Sequence, residues 1–267
     1  MIQKRDRKRP APRVYAGVDV GSITAKAAII KEDRVVGTNV IPTGYRASTV
    51  GRRVFEELLQ QTGIAGEEVK AVVATGYGRN SVDFAARSVT EIICHGTGAF
   101  FLAPHTRGII DVGGQDSKAI LLNDQGGVDN FAMNDKCAAG TGRFLEVMAR
   151  VMEVDLDDMG EMGLAATTPS RISSICTVFA ESEVISMISG QHRRQDIIAG
   201  IHDSAAARIA SLALKIKIKP PVMMTGGVAK NIGMVRALES LLGLAIDVLP
   251  SAQVNGAIGA AVRASRL

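Results

Sequence analysis

The stretches Val18-Asp19-Val20-Gly21-Ser22 and Ile110-Asp111-Val112-Gly113-Gly114-Gln115-Asp116 nearly repeat each other, about ninety residues apart. Each follows an apolar run that is typical of a buried strand, and each places a carboxylate and then glycine where the chain must turn. Glycine lets backbone N–H groups approach an anion, and an aspartate at a strand end can hold Mg²⁺ directly or through its waters. Two such turns facing each other predict a clamp for the phosphates of one nucleotide.

The surrounding pattern predicts that a whole unit is duplicated. Each turn lies in the order strand, acidic glycine turn, two further strands and helix, with little identity beyond the turns. This order predicts an α/β protein of two halves with a ligand cleft between them. We place a tail at 1–13, the first half at 14–105 and the second at 106–267.

The predicted elements follow hydrophobic periodicity and turn residues. The predicted strands are 14–20, 26–30, 34–41, 69–75, 108–112, 117–122, 127–133, 222–225 and 246–249. The predicted helices are 50–61, 92–102, 138–151, 179–189, 196–215, 228–241 and 255–265, of which 92–102 is also compatible with a turn.

The nucleotide-site candidates come from three glycine turns. In the first, Asp19, Gly21, Ser22 and Lys26 can offer a metal-binding carboxylate, N–H groups, a hydroxyl and a point charge to phosphates, although a tight hairpin with a solvated lysine fits this segment equally well. In the second, Asp111, Gly113 and Gly114 repeat the arrangement, and Gln115 is placed to orient an attacking water. The third turn supplies Gly226, Gly227 and Asn231, against which an adenosine can lie.

The three cysteines, Cys94, Cys137 and Cys176, admit two interpretations. Cys137 and Cys176 each precede a predicted helix, and the positive end of a helix favours a thiolate. Two thiolates cannot complete a four-thiolate iron–sulfur cluster, but a two-fold dimer supplies four. Burial as small hydrophobic side chains is the commoner fate of free cysteine, and from spacing alone it is the interpretation we favour for both, as well as for Cys94. The four histidines form no ligand spacing and are predicted to be structural or on the surface.

Composition narrows the class of protein. At 46% hydrophobic residues the chain of 267 residues can bury a large core, and the absence of Trp argues against a stacking platform for nucleic acid. The net charge of +4 is concentrated in residues 1–13, which we predict to be disordered. That start lacks the apolar stretch of a signal peptide, and we find no membrane-spanning run, so we expect a cytoplasmic protein without nucleic-acid or membrane partners.

Five motifs together resemble one family, the activators of 2-hydroxyacyl-CoA dehydratases, which includes the ATPase subunits of benzoyl-CoA reductase. The resemblance runs from about Val14 to the C-terminus. The motifs are the two aspartate turns, the second extended through Ser117-Lys118, together with Thr75-Gly76-Tyr77-Gly78-Arg79, the stretch Asn134-Asp135-Lys136-Cys137-Ala138-Ala139-Gly140-Thr141-Gly142, and Val178-Phe179-Ala180-Glu181-Ser182-Glu183.

This resemblance implies the actin/Hsp70/sugar-kinase (ASKHA) fold, an ATP/ADP and Mg²⁺ cleft, and one [4Fe–4S] cluster shared by two subunits. It implies Cys137 and Cys176 as cluster ligands, and we add Gly140, Thr141 and Gly142 to the nucleotide-site candidates. The implied partners are a second copy or a related subunit, an acyl-CoA dehydratase or aromatic acyl-CoA reductase, and a ferredoxin or flavodoxin as electron donor. The basic tail departs from the family pattern and slightly favours a reductase subunit.

Three functions stay open at this point. The first is ATP-driven electron transfer, either as a free activator or as a reductase subunit. The second is a metabolite kinase on the same fold, although no aspartate placed for a sugar hydroxyl is identifiable. The third is an ATP-binding regulatory protein without turnover.

Overall fold

The computed structural model describes residues 13–45, 47–173 and 176–267. The predicted tail therefore lies outside the described residues, apart from Arg13. The strands, in chain order, are β1 (Val14–Val20), β2 (Thr24–Lys31), β3 (Arg34–Pro42), β4 (Val69–Thr75), β5 (Arg87–Ser88), β6 (Gly108–Val112), β7 (Ser117–Leu122), β8 (Val128–Asn134), β9 (Val222–Thr225) and β10 (Ile246–Val248). The α-helices are α1 (Ala47–Thr62), α2 (Glu91–Leu102), α3 (Gly142–Val151), α4 (Met159–Leu164), α5 (Thr177–Ser189), α6 (Arg194–Lys215), α7 (Ile232–Leu242) and α8 (Asn255–Ala264).

The strands form two five-stranded mixed sheets with the same topology. The first has the order β3-β2-β1-β4-β5, and the second, written from the equivalent edge, has β8-β7-β6-β9-β10. In each, the central strand is antiparallel to the strand that follows it and parallel to the strand on its other side. The predicted α/β fold of two duplicated halves is confirmed.

Each half has its own hydrophobic core. In the first, α1 packs against β1 and β2 through residues such as Val54 and Leu58. In the second, the sheet packs against α3, α6 and α7 through residues such as Phe144, Ile197 and Leu238. Because these apolar faces cover the sheets, the polar ends of the strands are left to line the space between the halves.

The closing helix α8 packs on the first sheet, against β1, β2 and β4, although in the chain it lies at the end of the predicted second half. It also crosses α2, the helix that connects the two halves. The backbones touch there, since a Cβ at Gly259 would collide with the carbonyl oxygen of Cys94. The boundary near residue 106 stays a prediction.

Two predicted helices begin later than expected. We predicted a helix from Ala138, but residues 138–141 form a turn and α3 starts at Gly142, because Gly140 has a φ of 80° that no α-helix accommodates. We predicted another from Val228, but a short 3₁₀ turn over Gly227–Lys230 comes first and α7 starts at Ile232. The sequence analysis also missed β5 and α4.

One helix among the described residues, α6, is long and apolar enough to cross a bilayer by length and composition. The sequence analysis had found no such run. This helix packs in the second core, where Ile197, Ile201 and Ile209 are fully buried. A helix of this length and composition can therefore also be a core helix, and α6 packs as one.

The α2–α8 crossing predicts a large cost for one methyl group. Gly259→Ala places that methyl against the Cys94 carbonyl, and overpacking of this kind destabilises a core by about 1–3 kcal/mol. Denaturant unfolding measures the loss. Gly66→Ala is the control, because its Cβ would meet only Leu59 Cδ1 at 3.7 Å, and it should change stability by less than about 0.5 kcal/mol. Equal losses in both variants would contradict the close crossing.

The buried His202 on α6 predicts a pH dependence of stability. Burial lowers the pKa of this imidazole to about 4, whereas in the unfolded chain it is about 6.5. The unfolded chain therefore binds the proton first, and stability present above pH 6.5 is lost as the pH falls towards 4, by on the order of 3 kcal/mol. In His202→Gln this component should be missing from unfolding curves taken across that range. Identical pH profiles in the two proteins would refute it.

Candidate nucleotide site

The two aspartate turns have the same hydrogen bonding. The N–H of Gly21 donates to the carbonyl oxygen of Thr24 at 3.1 Å, and that of Gly113 donates to the carbonyl oxygen of Asp116 at 2.9 Å. Each bond closes the hairpin between a central strand and the strand that follows it. Asp19 and Asp111 are thereby fixed at equivalent positions of the two sheets, and both are buried.

A lysine accompanies each aspartate across the hairpin. Asp19 pairs in register with Lys26, and Asp111 with Lys118. The Nζ of Lys26 lies 3.4 Å from Asp19 Oδ2, and the Nζ of Lys118 lies 3.1 Å from Asp111 Oδ2. We predicted Lys26 but missed Lys118, although both lysines follow their aspartate by the same seven residues.

Lys118 is a charged group in the interior, with a side chain that is 2% exposed. Its Nζ also lies 2.9 Å from Asp116 Oδ2 and 3.8 Å from Glu91 Oε1. Burial alone would lower the pKa of this amine, but the three carboxylates raise it well above its ordinary value. Lys118 therefore stays protonated and holds together residues from β6, the second turn and α2.

Asp111 stays ionised in the same surroundings. Burial by itself raises the pKa of Asp111. The lowering effect of His95, Lys118 and a hydrogen bond from Thr225 is larger than the effect of burial, so the pKa lies well below the usual range for aspartate. The hydroxyl of Thr225 donates to Asp111 Oδ1 at 2.8 Å, and the Nδ1 of His95 lies 3.3 Å from the same oxygen. The carboxylate is thus oriented from two sides.

Glycine follows the threonine that ends the strand beside each central strand. Thr75 is in register with Asp19 and Thr225 with Asp111, and the next residues, Gly76 and Gly226, have φ values of 86° and 88°. A Cβ at Gly226 would collide with the Val112 carbonyl, and one at Gly76 would collide with the Asp19 carboxylate. Both sides of the site therefore require glycine for close approach.

A cleft of about 580 Å³ between the halves brings these turns together. Most of the predicted nucleotide residues line it, namely Asp19, Gly21, Ser22, Lys26, Asp111, Gly113, Gly114, Gln115, Gly142, Gly226, Gly227 and Asn231. Gly140 and Thr141 are not among the lining residues, and the hydroxyl of Thr141 donates to Ala138 instead. The sequence analysis missed four lining residues around the second turn, which are Glu91, His95, Asp116 and Lys118.

Histidine 95 was predicted to be structural or on the surface, and it is buried but also lines the cleft. It lies one helical turn after Glu91, so that α2 presents both side chains to the same space. Burial raises the pKa of Glu91, against the lowering effect of Lys118. No local spacing signals this pair, because the connecting helix reaches the second turn only through the tertiary fold.

The charges of the cleft fit a nucleotide that brings Mg²⁺. Seven carboxylate residues line it against three lysines. These carboxylates would repel phosphates that carried no cation. Mg²⁺ bound to phosphates would reduce that repulsion, and it commonly uses only one or two carboxylates and several waters as its other ligands. Asp19 and Asp111, one from each half, are placed for that role. Within the described residues, no group of three or more His, Cys, Asp or Glu side chains forms a self-sufficient metal site.

The cysteines differ in their surroundings. Cys137 lies half-buried in the turn before α3, where an Arg208 guanidinium nitrogen is 3.9 Å from its Sγ. The prediction that a helix starts directly after Cys137 is wrong, because α3 begins five residues later. Cys176 is exposed and is the N-cap residue of α5, as predicted.

Cys94 is the contrasting case, since it is fully buried in α2. Burial raises the pKa of its thiol to about 12. The predicted packing role of Cys94 agrees with this environment, whereas Cys137 and Cys176 are accessible to a metal group.

Known proteins of two related kinds are similar to this chain over almost its whole length. The activator of lactoyl-CoA dehydratase from Anaerotignum propionicum is 49% identical, over 93% of this chain and 96% of that protein. One of the subunits of benzoyl-CoA reductase from Thauera aromatica is 32% identical, over 93% and 92% of the two chains.

Solved structures agree. The (R)-2-hydroxyglutaryl-CoA dehydratase component from Acidaminococcus fermentans superimposes with a TM-score of 0.92 at 45% identity, covering 95% of this chain and 98% of that one. The activator of 2-hydroxyisocaproyl-CoA dehydratase from Clostridium difficile, with bound ADPNP, gives 0.89 at 46% identity, covering 94% of both chains. A ROK family glucokinase from Streptomyces griseus, at 15% identity and a TM-score of 0.58, shares the fold. The model of the BadF/BadG/BcrA/BcrD ATPase family matches residues 16–264, and the chain belongs to that family.

Proposed function

We propose that this protein is an ATPase that passes a low-potential electron from a shared [4Fe–4S] cluster to a 2-hydroxyacyl-CoA dehydratase. The observation that carries the proposal is the pairing of two Asp–Lys turns across one cleft, in a chain whose Cys137 is half-buried and whose Cys176 is exposed. Relatives with 46–49% identity are named as activators of such dehydratases, and one of the solved structures has ADPNP bound.

The residues of the cleft divide the work of binding and hydrolysis. Ser22, Lys26 and the backbone at Gly21, Gly113 and Gly114 would hold the phosphates, and Gly226, Gly227 and Asn231 would lie against the adenosine. Asp19 and Asp111 would hold Mg²⁺, which supplies charge stabilisation at the phosphates when bound. Gln115, an exposed side chain at the second turn, would orient the attacking water.

The environments of two cysteines support a cluster site. Cys137 has a guanidinium group close to its sulfur, and Cys176 lies at the positive N-terminal end of a 13-residue helix. A [4Fe–4S] cluster takes four thiolates and supplies one-electron chemistry at low potential. One chain offers two of these ligands, so the site is complete only with a second subunit.

The surface beside Cys176 supports that second subunit. Helix α5 exposes Val178, Phe179, Ile185 and Ile188, each by more than 40% of its surface. Large apolar side chains grouped on one helix indicate a surface that a partner covers. We propose that a second copy, or a related subunit, covers it and places its own cysteines opposite.

The electron partners follow from the same assignment. A ferredoxin or flavodoxin would load the cluster, and an acyl-CoA dehydratase would receive the electron, all within the cytoplasm. Nucleotide binding can change the electron-donating arrangement only by the difference in its affinity for the two arrangements. Asp19 and Asp111 lie in different halves, so a nucleotide bridging them would favour one relative position of the halves.

A role as one of the subunits of a benzoyl-CoA reductase complex is the second candidate. The 32% identity to the Thauera aromatica reductase chain favours it less than the higher identities favour an activator. The glucokinase likeness extends to the fold alone, so a metabolite kinase has no specific support.

Replacing one carboxylate tests the ATPase. Asp111→Asn removes the charge that orients Mg²⁺ and leaves Lys118 with one carboxylate partner fewer, so kcat for ATP hydrolysis should fall by about 10² or more. The control is Asp124→Asn, a side chain that is 85% exposed and forms a surface ion pair with Arg107, and this variant should hydrolyse ATP like the wild type. The rate of phosphate release from ATP is measured for both variants. A fully active Asp111→Asn would contradict the proposed site.

Replacing each cysteine tests the cluster. After anaerobic reconstitution, the wild-type protein should contain one [4Fe–4S] cluster per two chains, with an electron paramagnetic resonance signal on reduction. Cys137→Ala and Cys176→Ala should each lose iron and signal while still binding nucleotide. Cys94→Ala, in which the buried thiol is removed, should keep both. Iron retained by the first two variants would rule out these ligands.

A further inference from the structure

The ring of His202 occupies a slot between two helices that pack on α6. A Cβ at Gly163 of α4 would lie 2.6 Å from the ring Nδ1, and one at Gly233 of α7 would lie 2.5 Å from the same atom. His202 itself is 2% exposed. The two glycines therefore leave the space that the ring fills, and a side chain at either position would displace it.

The hydrogen bonds of Asn231 determine which nitrogen of the His202 ring carries the proton. The Oδ1 of Asn231 accepts the N–H of Met234 at 3.0 Å and so caps the start of α7. Its amide nitrogen Nδ2 then points to His202 Nε2, at 3.3 Å. The amide is a donor, so Nε2 accepts and the proton of the ring lies on Nδ1. A neutral ring is required, in keeping with the low pKa that burial gives His202.

The amide held in this way belongs to the wall of the central cleft. Asn231 lines the cleft directly after the turn Gly227–Lys230, which also lines it at Gly227, Val228 and Lys230. Behind Asn231, Gly160 of α4 leaves room for its Oδ1, which a Cβ there would approach to 3.1 Å. The side chain is therefore held from α6 and α7 by His202 and Met234, neither of which lines the cleft.

We propose that His202, which does not line the cleft, is a positioning residue for the nucleotide. It holds the Asn231 amide, and through it the third glycine turn, in the arrangement that adenosine binds. The inference rests on the proposed role of Asn231 in nucleotide binding. It predicts that His202 acts on nucleotide affinity through a single acceptor atom, and that its bulk serves only to fill the slot.

Two variants separate the acceptor from the bulk. His202→Gln keeps an acceptor oxygen near the place of Nε2, and His202→Leu removes the acceptor. With the full chain, Mg²⁺ and ADPNP as the probe, calorimetry should show about tenfold weaker binding for His202→Leu and less than about threefold for His202→Gln. In steady state the KM for ATP should rise in His202→Leu while kcat changes little.

The control is Ile201→Val, which removes one methylene group from a fully buried neighbour on α6 that has no hydrogen-bonding side-chain atom. It should lose stability and keep its nucleotide affinity. In a double-mutant cycle, His202→Leu combined with Asn231→Ala should weaken binding no further than Asn231→Ala alone. If His202→Leu does not fold, the cycle is run with His202→Met, an unbranched side chain that also lacks the ring nitrogen acceptor, and additive losses overturn the proposal.

The remaining outcomes are decided by the same titrations. Wild-type affinity in His202→Leu, or affinity that falls in all variants in step with stability, Ile201→Val included, overturns the positioning role. A wild-type chain that does not bind ADPNP contradicts the proposed function itself. The two failures are therefore distinguishable.

Discussion

The ion pair between Lys118 and Asp111 is the constraint on which the site depends. An ammonium group that is almost entirely inaccessible to water must have partners, because an unpaired buried charge costs several kcal/mol. Its partners come from the end of a strand, from the following turn and from the connecting helix. The second phosphate turn is thereby tied to α2, the segment that joins the two halves.

The first half repeats the arrangement with a less buried lysine. Lys26 is 15% exposed and lies 3.4 Å from Asp19, against 2% and 3.1 Å for Lys118 and Asp111. A less buried lysine keeps more of its hydration and is freer to contact a ligand. The duplicated halves thus have the same backbone turn but different electrostatics: one lysine can meet phosphate, and the other organises carboxylates.

Helix α6 contacts both Asn231, which lines the nucleotide cleft, and the turn that contains Cys137. His202 lies against Asn231, and further along the helix Arg208 lies against Cys137, where Gly140 allows the turn to approach the helix closely. A buried helix of 22 residues is a stiff element, because its core side chains are close-packed. The two sites are therefore parts of one packed unit in the second half.

Local pattern alone determined the strands other than the two-residue β5, the duplication and the acidic glycine turns, because alternation, β-branched runs and glycine act over a few residues. It also determined eleven residues of the cleft, to which the family resemblance added Gly142. It did not determine where α3 begins, since a φ of 80° at Gly140 is set by packing against α6. Nor did it determine the roles of Glu91, His95 and Lys118. Those roles exist only because the fold brings α2, β6 and β7 together in a place with little water. There, each charged side chain needs a partner that is close in space, however far apart the two residues are in the sequence.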